Sequence, residues 1–204
     1  MPVFPLPGFV LFPHAVAPLH VFELRYRAMV RDALRADRLI ATALLKPGWE
    51  LDYHGSPEFF PLGCLARVED VTWRPDDCYD LKVAGVARVR FQRVISEYPY
   101  RAATVSLIPQ EPLSDDDPLV ELERRALHEA YGRIVGATGL PPYPSDPLPL
   151  ETLVNTVCTE LALDSFEKLE LLELDNLVER SRRVRQRIEL SLRRPRGQEG
   201  GERN

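Results

Sequence analysis

Four histidines, three cysteines and three lysines are the side chains from which this 204-residue sequence would build nucleophilic, metal or proton-transfer chemistry. His14, His20, His54 and His128 never form a His-x-x-x-His pair, and His128-Glu129 opens a zinc-helix pattern that lacks its second histidine. Cys64, Cys78 and His54 are zinc-type donors, yet no Cys-x-x-Cys pair accompanies them. Lys46, Lys82 and Lys168 stand beside no recognisable serine motif, so a serine–lysine dyad is unsupported. Neither a Gly-x-x-x-x-Gly-Lys-Ser/Thr phosphate loop nor a Gly-x-Ser-x-Gly elbow occurs. The adjacent carboxylates Glu69/Asp70 on a strand would point to opposite faces, and Asp76/Asp77 in a turn would both meet water. No catalytic residue, metal site or cofactor is expected, and the chain reads as a non-enzyme.

The remaining charge and sulfur fit that reading. Cys64, Cys78 and Cys158 are odd in number and widely spaced, as reduced packing residues would be. A net charge of −5 disfavours generic nucleic-acid binding, which needs a basic field. Arginines nevertheless crowd the C-terminal end (180, 182, 183, 185, 187, then 193, 194 and 196), while Asp115 to Asp117 are acidic. This arginine series reads as a solvated helix face followed by a soluble tail. No apolar run reaches the roughly 20 residues of a membrane span. The N-terminus lacks the basic start of a secretory signal, so a cytoplasmic location is expected.

The elements that must position any site fall into two halves. Strands are expected over 39–45, 62–73 and 102–108, and over Tyr79–Ala84, where apolar and polar residues alternate. The alternation changes phase after Gly85, which therefore marks a bulge or bend of the kind a closing sheet needs. One helix, 23–36, carries Tyr26, Met29, Val30, Ala33 and Leu34 on one side. The second half turns helical. Pro112–Pro118 is a linker, Asp117 caps a helix whose stripe is Leu119, Leu122, Ala126, Leu127, Ala130, Tyr131 and Ile134, and 136–149 is a proline-dense loop. Leu150, Leu153, Val154, Val157, Cys158 and Leu161 form a second amphipathic helix. Asp164 and Glu167 have capping-box spacing before Phe166, Leu169 and Leu172. Asp175 is expected to start the last helix, with Leu177, Val184, Ile188 and Leu192 inward. Strands followed by helices, without alternation, give an α+β class.

The blocks Phe4-Pro5-Leu6-Pro7, Val10-Leu11-Phe12-Pro13 and Pro18 to Arg27 together resemble the opening of the Lon protease N-terminal, substrate-binding domain family. Gly63 to Val68, Val83 to Arg90, and Leu161 to Glu173 are similar to later blocks of that family, in its order, so the likeness covers about residues 3–192. It implies a PUA-like β-barrel over 1–112 and a helical bundle over 113–192, while 193–204, which lacks an apolar face, reads as a disordered basic, polar tail. That tail is expected to be a genuine terminus. The resemblance also implies recognition of unfolded or signal-bearing polypeptides, with a protease or chaperone acting in trans. The ATPase and serine–lysine peptidase of Lon have no counterpart in these 204 residues, so only the recognition role carries over. RNA binding is the alternative, because PUA-like barrels also occur in RNA-modifying proteins. The candidate peptide-binding residues are Phe9, Phe12, His20, Phe22, Glu23, Arg25 and Tyr26. The phenylalanines either line an exposed groove or fill the barrel core, and Glu23 either meets a ligand or supports the start of its helix, where the helix dipole favours negative charge.

Overall fold

The computed structural model describes residues 1–53, 55–96, 99–114, 116–138, 140 and 148–193. Of the expectations above, those on His54, Asp115, residues 141–147 and the tail beyond Arg193 lie outside the described residues. Six strands precede four of the five helices: β1 (Val3–Leu6), β2 (Val16–Val21), α1 (Leu24–Arg35), β3 (Leu39–Leu45), β4 (Phe59–Trp73), β5 (Tyr79–Ser96), β6 (Ala102–Ile108), α2 (Pro118–Thr138), α3 (Leu150–Glu160), α4 (Ser165–Glu173) and α5 (Leu177–Arg193). The class is α+β, as the sequence implied.

The strand path is β1-β3-β4-β5-β2, and the far end of the long β5 also pairs with β6. All pairs are antiparallel except β1–β3, which is parallel. The ladders do not close the sheet into a barrel. β6 meets the N-terminus through an isolated bridge, Pro2 to Ala102, reinforced by Val3 N–H donating to the Arg101 carbonyl at 2.9 Å. Gly85 sits where the register slips: Leu65 faces Ala87, Ala66 faces Gly85, and Val86 is the extra residue. The backbone of residues 12–15 closes against this bulge. Gly85 N–H donates to the Ala15 carbonyl and His14 N–H to the Gly85 carbonyl, at 2.8 and 2.9 Å. A second slip at Glu69 leaves Glu69 and Asp70 both exposed, so the two do not divide between opposite faces.

One core joins sheet and helices, containing Phe12, Ile40, Cys64 and Val83 from the β half with Leu127, Val154, Leu172 and Ile188 from the helices. The other face of the sheet has its own cluster, including Val3 of β1, Leu65 of β4, Phe91 of β5 and Ala103 of β6. Local signals in the helices hold at their ends. Asp117 accepts from Leu119 N–H at 2.8 Å, and the capping box of Asp164 and Glu167 is fully made. Three expectations are corrected. The buried face of α2 begins with Val120 and Glu123, while Leu119 and Leu122 are exposed. The helix continues through Gly136 to Thr138. Asn176, not Asp175, caps α5 by accepting from Glu179 N–H at 2.9 Å, because Asp175 is turned toward Arg88.

Candidate peptide-binding groove

A groove of about 290 Å³ opens between β1, the end of β2, the start of α1 and the segment that follows β3. Its lining includes Phe9, His20, Phe22, Glu23, Arg25 and Tyr26, six of the seven residues singled out from sequence. Phe12 is the exception: it is 0% exposed, inside the common core, because the segment after β1 turns inward there and its carbonyl packs against Gly85.

Each lining residue is placed by its element. Phe4 on β1 and Tyr26 on α1 hold their rings 4.7 Å apart and form an aromatic floor with the half-buried Phe9. Alternation along β2 sends Val21 inward and leaves His20 outside, and Phe22, the next residue, keeps that phase and is 56% exposed at the rim. His20 lies 5.9 Å from Phe22, ring to ring, and its Nδ1 lies 2.7 Å from Asp80 Oδ1. The Asp80 carboxyl is held below its usual range, first by His20 and then by Arg74.

Glu23 and Arg25 build a wall. Glu23 is the N-cap position of α1, but its carboxylate makes no bond to the helix backbone. It accepts instead from Arg25 Nε at 2.9 Å and from Tyr53 Oη at 2.7 Å. Arg25 spends its other donors on the carbonyls of Tyr53 and Gly55, both at 2.8 Å, and lies 4.8 Å over the Tyr26 ring. The pair is therefore neutral and clasps the 49–57 segment against the helix. Sequence reasoning missed Tyr53 and Pro57 as lining residues, since no local pattern reports a contact made 30 residues away.

Cys64, Cys158 and Lys168, three of the groups weighed for chemistry, are engaged within the fold. Burial pushes the thiols of Cys64 and Cys158 up to about 12, the reverse of what a nucleophile needs. Lys168 donates to the Thr159 carbonyl at 2.7 Å, closing the end of α3, and burial lowers its pKa. Among the described residues, no three His, Cys, Asp or Glu side chains gather as a metal site. No helix there is long and apolar enough to cross a membrane.

The arginine series is not simply a solvated face. Arg180 is 0% exposed and donates to Asn155 Oδ1 at 2.8 Å and to the Leu174 carbonyl. Arg182 and Arg185 share the buried carboxylate of Glu123, and Arg187 reaches Glu167. The burial of Arg180 and of Glu123 has one cause: charged residues at inward helix positions are satisfied by partners remote in sequence.

Residues 1–189 match the family model of the ATP-dependent protease La (LON) substrate-binding domain. Lon protease 2 of Herpetosiphon aurantiacus is 31% identical over 189 residues, which are 90% of this chain and 23% of that protein. The Lon protease of Anaeromyxobacter dehalogenans is 30% identical over 128 residues, 63% of this chain and 15% of that protein. The chain thus spans less than a quarter of the length of these relatives. Among solved structures, the Lon N-terminal domain protein from Xanthomonas campestris superposes with a TM-score of 0.65 at 27% identity, covering 90% of this chain and 95% of that one. The N-terminal domain of the Mycobacterium avium complex Lon protease, at 17% identity, shares the fold with a TM-score of 0.67, covering 92% and 97%.

Proposed function

Because the chain belongs to the Lon substrate-binding domain family, we propose that it is a non-catalytic module that holds unfolded or signal-bearing polypeptide segments in the groove between β1, β2 and α1. The observation that carries this reading is the convergence of Phe9, His20, Phe22, Glu23, Arg25 and Tyr26 on one open, aromatic-floored groove. Exposed aromatic area beside an apolar slot suits capture of a single apolar side chain. Leu24, two residues on from Phe22, is 73% exposed. Pro5, Pro7 and Pro18 remove amide donors from β1, its exit and β2. A bound segment therefore gains little from main-chain pairing and is read through its side chains, with weak affinity and broad tolerance.

The platform for this groove is a PUA-like sheet, curled toward a barrel but left open by its ladders, followed by a helical bundle. Support comes from the Pro2–Ala102 bridge and the Val3 N–H bond to the Arg101 carbonyl, which bring the start of β1 against β6 and so bend the sheet back on itself. The module works in the cytoplasm as an adaptor, presenting segments to a protease or chaperone. Fluorescence anisotropy of the intact chain with labelled, carboxymethylated casein tests the reading. Binding is expected at tens of micromolar, near −6 kcal/mol by the affinity scale. Phe22→Ala should weaken it about fivefold, roughly the 1 kcal/mol of a half-exposed aromatic contact. No binding to any unfolded chain in that range would sink the proposal.

A further inference from the structure

A second groove, about 580 Å³ in volume, follows the seam between α2 and α5. The two helices run in the same direction, as shown by Glu123 pairing with Arg182 and Arg185 and by Arg133 pairing with Glu189 further along both. Ala126 and Ala130, one turn apart on α2, line the groove with Leu190 of α5. Small side chains at that spacing leave a trough into which the ridge of a third helix can pack. Leu122 precedes them on the same stripe and is 62% exposed, and an adjoining opening along the seam shares Arg182.

The charge of this groove opposes that of the whole chain. Arg133, Arg182, Arg185 and Arg193 line it, against Glu189 and the buried Glu123. Arg182 Nε and Arg185 Nη2 both donate to the Glu123 carboxylate, at 2.9 and 2.8 Å, so one negative charge holds two positive ones. Four arginines against two carboxylates leave an excess of two positive charges, in a molecule whose net charge is −5.

We propose that the α2–α5 seam docks an acidic amphipathic helix from another protein, its apolar stripe over Ala126 and Leu190, above the buried Ala130, and its carboxylates against the rim arginines. A second copy of this chain fits poorly, because a two-fold contact would set the same arginines against each other. Nucleic acid fits poorly as well, since the lining holds an apolar floor and no aromatic ring on which a base could stack. Residues 194–204 contain three arginines, two glutamates and no aliphatic stripe, so their sequence matches neither the charge nor the floor. This surface is separate from the N-terminal groove, and the reading of one does not rest on the other.

The test uses two fluorescein-labelled helical peptides with the same leucine–alanine stripe, one flanked by glutamates and one with lysine in place of each glutamate, titrated against the full chain. The glutamate peptide is expected to bind at least tenfold more tightly. Gln186→Glu with Arg193→Glu, both on the exposed face of α5, should weaken it at least fivefold while casein binding is kept. Ala126→Leu, which fills the floor, should weaken it too, with an unchanged circular dichroism spectrum. Equal affinity for the two peptides, or undiminished affinity in the double variant, overturns the proposal. So does an oligouridylate that binds more tightly than the glutamate peptide and displaces it, or a dimer in sedimentation that the double variant dissociates.

Discussion

The Tyr53 hydroxyl donates to Glu23 at one end of the groove, and this bond to a carboxylate pushes the phenol up from 10 to about 12. A raised folded-state pKa means that folding favours the protonated phenol, so its stabilising effect is complete below the ordinary value of 10 and is lost as pH rises toward 12. The wall built by Glu23, Arg25 and Tyr53 is thus intact throughout the physiological range. Absorbance titration should show Tyr53 and Tyr100 both ionising near 12, and Glu23→Ala should return only Tyr53 toward 10. The same change should loosen the 49–57 segment and weaken polypeptide binding, because Arg25 then loses the carboxylate that fixes its fork. Thiol chemistry gives a second check at this scale. With the Cys64 and Cys158 thiols at about 12 and buried, iodoacetamide at pH 8 should leave both unmodified in the native protein and label them rapidly after denaturation. Labelling of either in the folded state would contradict the packing described.

Two glycines, chosen by what a methyl group would meet, separate packing from backbone entropy. A Cβ at Gly85 would lie 2.0 Å from the Phe12 carbonyl oxygen, so Gly85→Ala must displace the segment that threads over the β5 bulge. It should cost more than about 2 kcal/mol in urea denaturation, at the severe end for a single substitution. A Cβ at Gly132, on the outer face of α2, meets nothing within 4 Å. Gly132→Ala should therefore stabilise by about 0.5–1 kcal/mol through helix propensity alone. Gly85 was legible in the sequence because a phase change in apolar alternation is local, as were the Asp117 cap and the Asp164–Glu167 capping box. The parallel β1–β3 pairing was not, since it links Val3 to Ala41 and leaves no mark on either segment. The stripe begun at Leu119 and Leu122 passed over Glu123 for a related reason. A carboxylate at an inward position looks outward until two arginines 59 and 62 residues later are placed beside it. Five groove residues, His20, Phe22, Glu23, Arg25 and Tyr26, stood as one block in the sequence because the end of β2, Phe22 and the start of α1 are contiguous, whereas Phe12 required knowing that the chain dives inward past Gly85.

Across the whole molecule, the question is whether the β-rich and helical halves fold as one. Their shared core argues that they do, and the polar contacts across the seam are of an exacting kind. Arg88 of β5 is 2% exposed and donates to the carbonyls of Leu172 and Leu174 and to Asp175, binding the sheet to the end of α4. Arg180, held to the same Leu174 carbonyl, has its pKa lowered to about 10 by burial and by Arg88. Two buried guanidiniums around the same stretch of backbone are tolerable only while sheet and helices stay docked, since each would otherwise lose its acceptors. Separation of the halves should thus cost nearly as much as unfolding either. Trp49 and Trp73 both lie in the β half, while ellipticity at 222 nm is dominated by the helices, so two probes report the two halves separately. Their urea transitions should coincide in the native chain. Arg88→Ala should lower both midpoints together and cost about 3 kcal/mol or more of stability, because it strips a buried network of its donor. Helices that melt ahead of the tryptophan signal, in either protein, would show instead that the two halves are independent units.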